Sequence, residues 1–165
     1  MLPNHWLFTK IEWMKTARRS IAITTDIIVG FPGETDEDFE QTLSLLDEVE
    51  YDSLFCFKYS RRPNTAALAL DGQVSEEVTA QRFNALNEKQ RAIQIRRNAA
   101  HVGCVEEVLV EGFNRATGQW IGRTAENKTL NFIRPSGDGD SLLGQYLDVR
   151  VTRSGPNSLA GESVN

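Results

Sequence analysis

A chain of 165 residues with 40% hydrophobic and 25% charged side chains can bury a core, and it has room for one ordinary domain or for part of one plus a small module. A formal net charge of −5 excludes a protein that holds nucleic acid through bulk positive charge, so any RNA contact has to be local. The opening segment, Met1 to Phe8, is too short and too broken for a membrane span or a secretion signal, so the expected location is cytoplasmic, with no membrane partner.

Thr9 to Arg19 places Ile11, Met14 and Ala17 at helical spacing, with Thr9 as a plausible N-cap, and predicts a short amphipathic helix. Ile21 to Val29 is rich in β-branched residues without clean alternation, as in a strand buried on both faces of a parallel sheet, and Gly30 ends it. Thr35 with Asp38 resembles a capping box, and Asp36, Glu37 and Asp38 put negative charge at the positive end of the helix dipole. Phe39, Leu43, Leu46 and Val49 then form one apolar stripe along the helix. Leu54 to Ser60 predicts the next strand, with Phe55, Phe57 and Tyr59 on one face. Strand, helix and strand in this order make a βαβ unit, so both strands end on one rim, where α/β sheets bind ligands. Gly30 to Glu34 and Ser60 to Thr65 lie on that rim.

Ser75 to about Ala100 reads as a long polar helix with Ser75 as N-cap and a thin stripe of Val78, Phe83, Leu86 and Ile93. Arg82, Lys89 and Arg96 repeat every seven residues along it, which suits either a solvated connecting helix or an RNA-facing basic ridge. From Val102 onward the runs "VEEVLVEG", "WIGRT", "KTLNFI" and "YLDVRVT" fit a small antiparallel barrel of OB-like type, with "RPSGDGDSLLG" as a loop or hairpin. The expected organisation is a partial α/β domain over 1–74, a connecting helix over 75–100 and a β-barrel over 101–165.

Gly30, Pro32 and Gly33 allow a sharp turn and a close backbone approach, so the stretch either cradles a ligand group or simply joins strand to helix. Glu34 adds negative charge there and favours a hydroxyl-rich or cationic group over an anion. "YSRRPNT" gathers Tyr59, Ser60, Arg61, Arg62 and Thr65, in which an arginine can pair with a carboxylate or phosphate and the phenol can stack on a base. The alternative is an ordinary surface loop turning at Pro63-Asn64. In the barrel, "WIGRTAENKTLNF" interleaves Trp120, Arg123, Asn127, Lys128 and Phe132; Trp120 and Phe132 are expected in the core, and Arg123 and Lys128 toward solvent or RNA. Cys56 and Cys104 are isolated and read as buried free thiols, and no catalytic or metal-ligating residue is identified. His5 and His101 read as structural or surface residues.

"TTDIIVGFPGETDEDFEQTL", "YDSLFCFKYSRRPNTAA" and "VGCVEEVLVEG…GRTAENKTLNF…LLGQYLDVRVT…NSLAGE", in this order, resemble the C-terminal part of radical-SAM methylthiotransferases of the MiaB type. The resemblance implies an α/β fold, the C-terminal portion of a radical-SAM (βα) partial barrel, followed by a TRAM domain that binds RNA. It implies conversion of N6-isopentenyladenosine beside the tRNA anticodon to its 2-methylthio form. The Arg62-Pro63 pair favours the tRNA-modifying branch, because the ribosomal-protein-modifying branch usually carries an acidic pair there, whereas Asn64 departs from the more usual Gly. By the same resemblance Gly30, Phe31, Pro32, Gly33 and Glu34 lie beside S-adenosylmethionine, Tyr59 to Thr65 border the substrate adenosine, and Arg123, Asn127 and Lys128 meet tRNA. Family members also carry two 4Fe-4S clusters, one on a C-x-x-x-C-x-x-C triplet, and this chain has neither set of cysteines. It is therefore expected to be inactive alone and to need an N-terminal half, being a truncated gene, a gene-model fragment or half of a split enzyme. The alternative is a free-standing RNA-binding module.

Overall fold

The computed structural model describes residues 5–18, 20–134 and 142–164, which fall into two compact units, residues 23–94 and residues 1–22 with 95–165. The first of these is the α/β unit. Strand β1 (Thr24–Val29) lies parallel to β2 (Ser53–Lys58), with Thr24 opposite Ser53 and Val29 opposite Lys58, and helix α2 (Asp36–Val49) connects them. The capping box is present in both directions: the Thr35 hydroxyl accepts from the Asp38 N–H, and the Asp38 side chain accepts from the Thr35 N–H. Phe39, Leu46 and Val49 of the expected stripe are buried.

β1 begins three residues later than its β-branched run suggests. Ile23 donates its N–H to the Asp52 carboxylate at 3.0 Å and accepts from the Asp52 N–H at 2.8 Å, so it pairs with the residue before β2 instead of opening the ladder. The sheet is also not buried on both faces. Ile28, Phe55 and Phe57 are 53%, 62% and 51% exposed on one face, while Val29 is buried and Ile27, Leu54 and Cys56 are half-buried on the other. A short 3-10 turn (Ala66–Ala69) leads to helix α3 (Glu76–Ala99), whose Ser75 hydroxyl caps the Val78 N–H at 3.2 Å. Its basic residues do not form a free ridge. Arg82 is only 6% exposed and bound to Glu34 and Asp36, and Lys89 pairs with Asp47 of α2 at 2.7 Å.

The second unit holds helix α1 (His5–Lys15), which begins four residues before the expected Thr9 cap and stops where the Thr16 hydroxyl turns back onto the Glu12 and Trp13 carbonyls. Its main body is a closed barrel of β3 (Val105–Asn114), β4 (Gln119–Thr124), β5 (Thr129–Ile133), β6 (Tyr146–Ser154) and β7 (Leu159–Ser163), in the order β3-β4-β5-β7-β6. Four of its pairings are antiparallel and the β5–β7 pairing is parallel, which differs from the purely antiparallel expectation. Inward alternation buries Val108, Val110, Leu130, Phe132, Val149, Val151 and Leu159 in one core, and Trp120 packs against it. Most of the segment expected as a loop before β6, residues 135–141, lies outside the described residues.

Candidate functional site

The turn after β1 is built from its own sequence. Glu34 donates its N–H to the Phe31 carbonyl at 2.9 Å, with Pro32 and Gly33 as the central residues, and Gly33 has a φ of +85°. Proline first and a positive-φ residue second is the type II turn, which explains the Pro-Gly order. Gly30 is fixed by proximity, because a Cβ there would overlap the Thr79 side chain of α3. The Glu34 carboxylate then folds back to accept from the Gly30 N–H at 2.7 Å, and Arg82 binds the same oxygen at 2.7 Å and the Glu34 carbonyl at 3.1 Å. The other arm of the guanidinium holds Asp36 at the start of α2, 2.7 Å away. This latch joins residues far apart in sequence, and no local pattern in the chain announces it.

The latch changes what the turn offers a ligand. The N–H groups of Gly30, Gly33 and Glu34 all have internal acceptors, Gly33 donating to Gly72 at 2.8 Å, and Pro32 has none to give. Pro32 is buried and Glu34 neutralises Arg82, so these two hold the turn's shape. Two residues of the turn line clefts: buried Gly30 a cleft of about 600 Å³, and exposed Phe31 another of about 550 Å³.

Both clefts are shared with the loop after β2, so the structure brings the two sequence motifs together. Phe31 meets Tyr59 edge to face, with ring centroids 5.2 Å apart, and the Tyr59 N–H donates to the Val29 carbonyl at 2.8 Å. Tyr59 borders both clefts; Ser60, Arg62 and Thr65 line the Phe31 side, and Arg61 lines the Gly30 side. The Arg61 Nε donates to Gln73 at 3.2 Å, and the Thr65 hydroxyl donates to the Arg62 carbonyl at 2.9 Å. The Tyr59 hydroxyl is enclosed and has no hydrogen-bond partner among the described residues. A buried hydroxyl in that state is destabilising unless something completes it. The exposed Ile28 and Phe57 make the Phe31 cleft largely apolar, so it suits a ligand with an apolar part and a few polar groups.

Cys56 sits half-buried in the same unit, and burial, reinforced by the Glu34 charge, pushes its thiol up to about 11. Such a thiol resists forming the thiolate that binds metal. Cys104 is exposed, contrary to the expectation of a buried thiol: it lies in the turn before β3, with its sulfur 3.8 Å from the Ala100 carbonyl. Among the described residues no group of His, Cys, Asp and Glu could hold a metal ion.

In the barrel, the three expected RNA residues gather at the turn between β4 and β5. Arg123 pairs with Glu111 at 3.3 Å and donates to the Asn127 carbonyl at 3.2 Å, while Asn127 is exposed in the turn with φ +59°. Lys128 turns inward. Its side chain is 9% exposed, and its ammonium lies 3.3 Å from the Asn98 side chain and 3.9 Å from Glu126. His101 occupies the same neighbourhood, with Nδ1 2.7 Å from Glu106 and Nε2 3.5 Å from Glu126, a structural place among the two alternatives, structural or surface, expected for it.

The TRAM domain family matches residues 99–164. Over 155 residues, 94% of its length, the chain is 66% identical to a tRNA-2-methylthio-N(6)-dimethylallyladenosine synthase of Solibacter usitatus, 35% of which is covered. Identity is 51% over 156 residues to the protein of that name from Koribacter versatilis and 46% over 153 residues to the one from Geobacter metallireducens, with 35% and 34% of those proteins covered. The chain thus spans about a third of the length of these curated relatives. No helix among the described residues is long and apolar enough to cross a membrane. The closed barrel and these identities together make the chain homologous to the C-terminal part of the MiaB methylthiotransferases, with a TRAM domain at its end.

Proposed function

We propose that the chain acts as the C-terminal part of a tRNA methylthiotransferase, in which it contributes a rim for S-adenosylmethionine and the substrate nucleoside and a barrel for tRNA. The reaction is conversion of N6-isopentenyladenosine beside the anticodon to its 2-methylthio derivative. The single observation that supports this most is the juxtaposition of Gly30 and Phe31 with Tyr59, Arg61 and Arg62 around two clefts, with an enclosed Tyr59 hydroxyl left for a ligand to complete. In this reading Gly30 and Phe31 touch S-adenosylmethionine, which supplies the family's methyl and radical chemistry. Pro32, Gly33 and Glu34 keep the turn in place, Tyr59 and Thr65 face the nucleoside, and Arg61 and Arg62 neutralise phosphate or carboxylate.

The residues present do not fit an iron–sulfur cluster. The two cysteines lie in different units, one of them held protonated, so no step through a cluster is assigned to this chain. Cluster ligands have to come from a further portion of protein, and the exposed face of Ile28, Phe55 and Phe57 is the surface such a portion would cover. Mixing the chain with a cysteine-bearing N-terminal portion of a relative should restore methylthiolation of isopentenylated tRNA under reducing, anaerobic conditions. Absence of product with both pieces folded and tRNA still bound would count against the reading.

A second reading is favoured by the closed barrel, which has its own core. In it the chain works as an RNA-binding module without catalysis. A gel shift with tRNA at several salt concentrations tests it, since phosphate contacts make affinity fall steeply with salt; no shift at low salt removes it.

A further inference from the structure

The outer wall of the barrel carries a second feature, separate from the β4–β5 turn. Ile121 of β4 is paired with Asn131 of β5, Asn131 with Ala160 of β7, and Ala160 with Arg153 of β6, so these four residues stand abreast across four strands. Ala160 offers only a methyl group in the middle of the row, and the wall dips there into a cleft of about 230 Å³ between Asn131 and Arg153, with Gln119 at its edge. The loop from Gly155 to Ser158 closes the remaining side. That loop is braced, because the Asn98 side chain donates to the Gly155 carbonyl at 2.9 Å and to the Pro156 carbonyl at 3.3 Å.

The chemistry of the cleft is specific. Gln119, Asn131 and Arg153 have no side-chain partner among the described residues, and none of the residues lining the cleft is acidic. Each amide offers a donor and an acceptor, the pattern that matches the edge of an unpaired base, and a free guanidinium matches a phosphate. The volume lies below the roughly 300–1,000 Å³ that encloses a drug-sized ligand, so the cleft takes one base-sized group of a longer molecule. Its lining comes from β5, β7 and β6, with Gln119 of β4 at the edge and the β6–β7 loop, which joins the fourth and fifth strands of the barrel, along one side; in OB-type barrels that loop takes part in binding oligonucleotides.

We propose that this cleft holds one unpaired ribonucleotide of a bound RNA, with the base edge on Asn131 and Gln119 and a phosphate on Arg153. The proposal rests on the reading that the barrel meets tRNA, and it adds a site to the contacts expected at Arg123, Asn127 and Lys128. It gives an acidic chain a local place to grip RNA without a basic surface.

The test uses the full chain, labelled with ¹⁵N and titrated separately with a six-nucleotide single-stranded RNA and with tRNA. The side-chain amide signals of Gln119 and Asn131 should move with both. Arg153→Ala should weaken both RNAs roughly ten-fold and lower the salt slope by about one, and Asn131→Ala should weaken the hexamer with the slope kept. Signals that move only around Arg123 and Asn127, with Arg153→Ala binding like wild type, would overturn the cleft and leave RNA binding standing. An unmoved set of signals with either RNA would overturn both. Should a variant fail to fold, the wild-type amide signals decide the matter alone.

Discussion

In the barrel each strand has a neighbour on both sides, so backbone groups are paired all round and short strands of Val, Leu and Phe suffice to enclose a core. In the α/β unit β1 and β2 have only each other among the described residues, and one face exposes Ile28, Phe55 and Phe57. That unit is held differently. α2 and α3 bury Phe39, Leu46, Val49 and Leu86, and the buried Arg82 fastens the turn after β1 and the start of α2. The contrast teaches that one chain carries both a closed module with its own core and a unit whose sheet leaves one apolar face open. Closure stabilises the first through many equivalent contacts, whereas the second leans on a few specific ones.

Phe132→Ala should produce the largest effect, removing a fully buried ring from the centre of the barrel and costing about 3–5 kcal/mol in a denaturant titration, and abolishing the tRNA binding proposed for the barrel as it opens. Arg82→Met tests the opposite unit. It leaves the Glu34 carboxylate enclosed without its cation and should cost roughly 3 kcal/mol, read from chemical denaturation, while tRNA binding by the barrel persists. Equal loss of both properties in both variants would break the comparison.

Thr35→Ala removes the reciprocal cap of α2 and should cost about 1 kcal/mol, confined to the α/β unit. The cap also carries a pH signature. The Thr35 hydroxyl and N–H hold the Asp38 carboxyl below its usual 3.8, so its contribution is present above that pH and fades as the pH falls through the lowered value. A melt of the wild type should therefore drop more on acidification below pH 4 than a melt of Asp38→Asn. The smallest perturbation is chemical labelling. A thiol reagent near pH 8 should modify exposed Cys104 quickly and Cys56 only when its unit opens, because burial raises that thiol to about 11. With one cysteine in each unit, the two rates report separately which unit loosens first.

Local signals in the sequence carried the helices and the barrel strands well. The Thr35–Asp38 pair and the stripe from Phe39 to Val49 are adjacent features, and α2 follows from them alone. The two motifs are legible at the ends of consecutive parallel strands, and Phe31 packs against Tyr59 where they meet. Tertiary partners were not legible. The spacing of Arg82, Lys89 and Arg96 suits either a solvated connecting helix or a basic ridge, and nothing in a heptad repeat shows that Glu34, 48 residues away, takes up Arg82. Ile23 looked like strand until Asp52 took its backbone bonds, and Lys128 looked like an outward cation until Asn98 and Glu126 drew it inward. The barrel cleft is not legible in the sequence, because Gln119, Asn131 and Arg153 are scattered along it and become neighbours only through strand register.

The order β3-β4-β5-β7-β6 has a further consequence for how the protein is made. β7 is translated after β6 yet inserts between β5 and β6, so a nascent chain that has already emerged through β6 still carries two bare edges facing one another. Until Leu159–Ser163 leaves the ribosome those edges can recruit strands from other chains, and the parallel join to β5 sets the moment at which the protein becomes safe from mispairing.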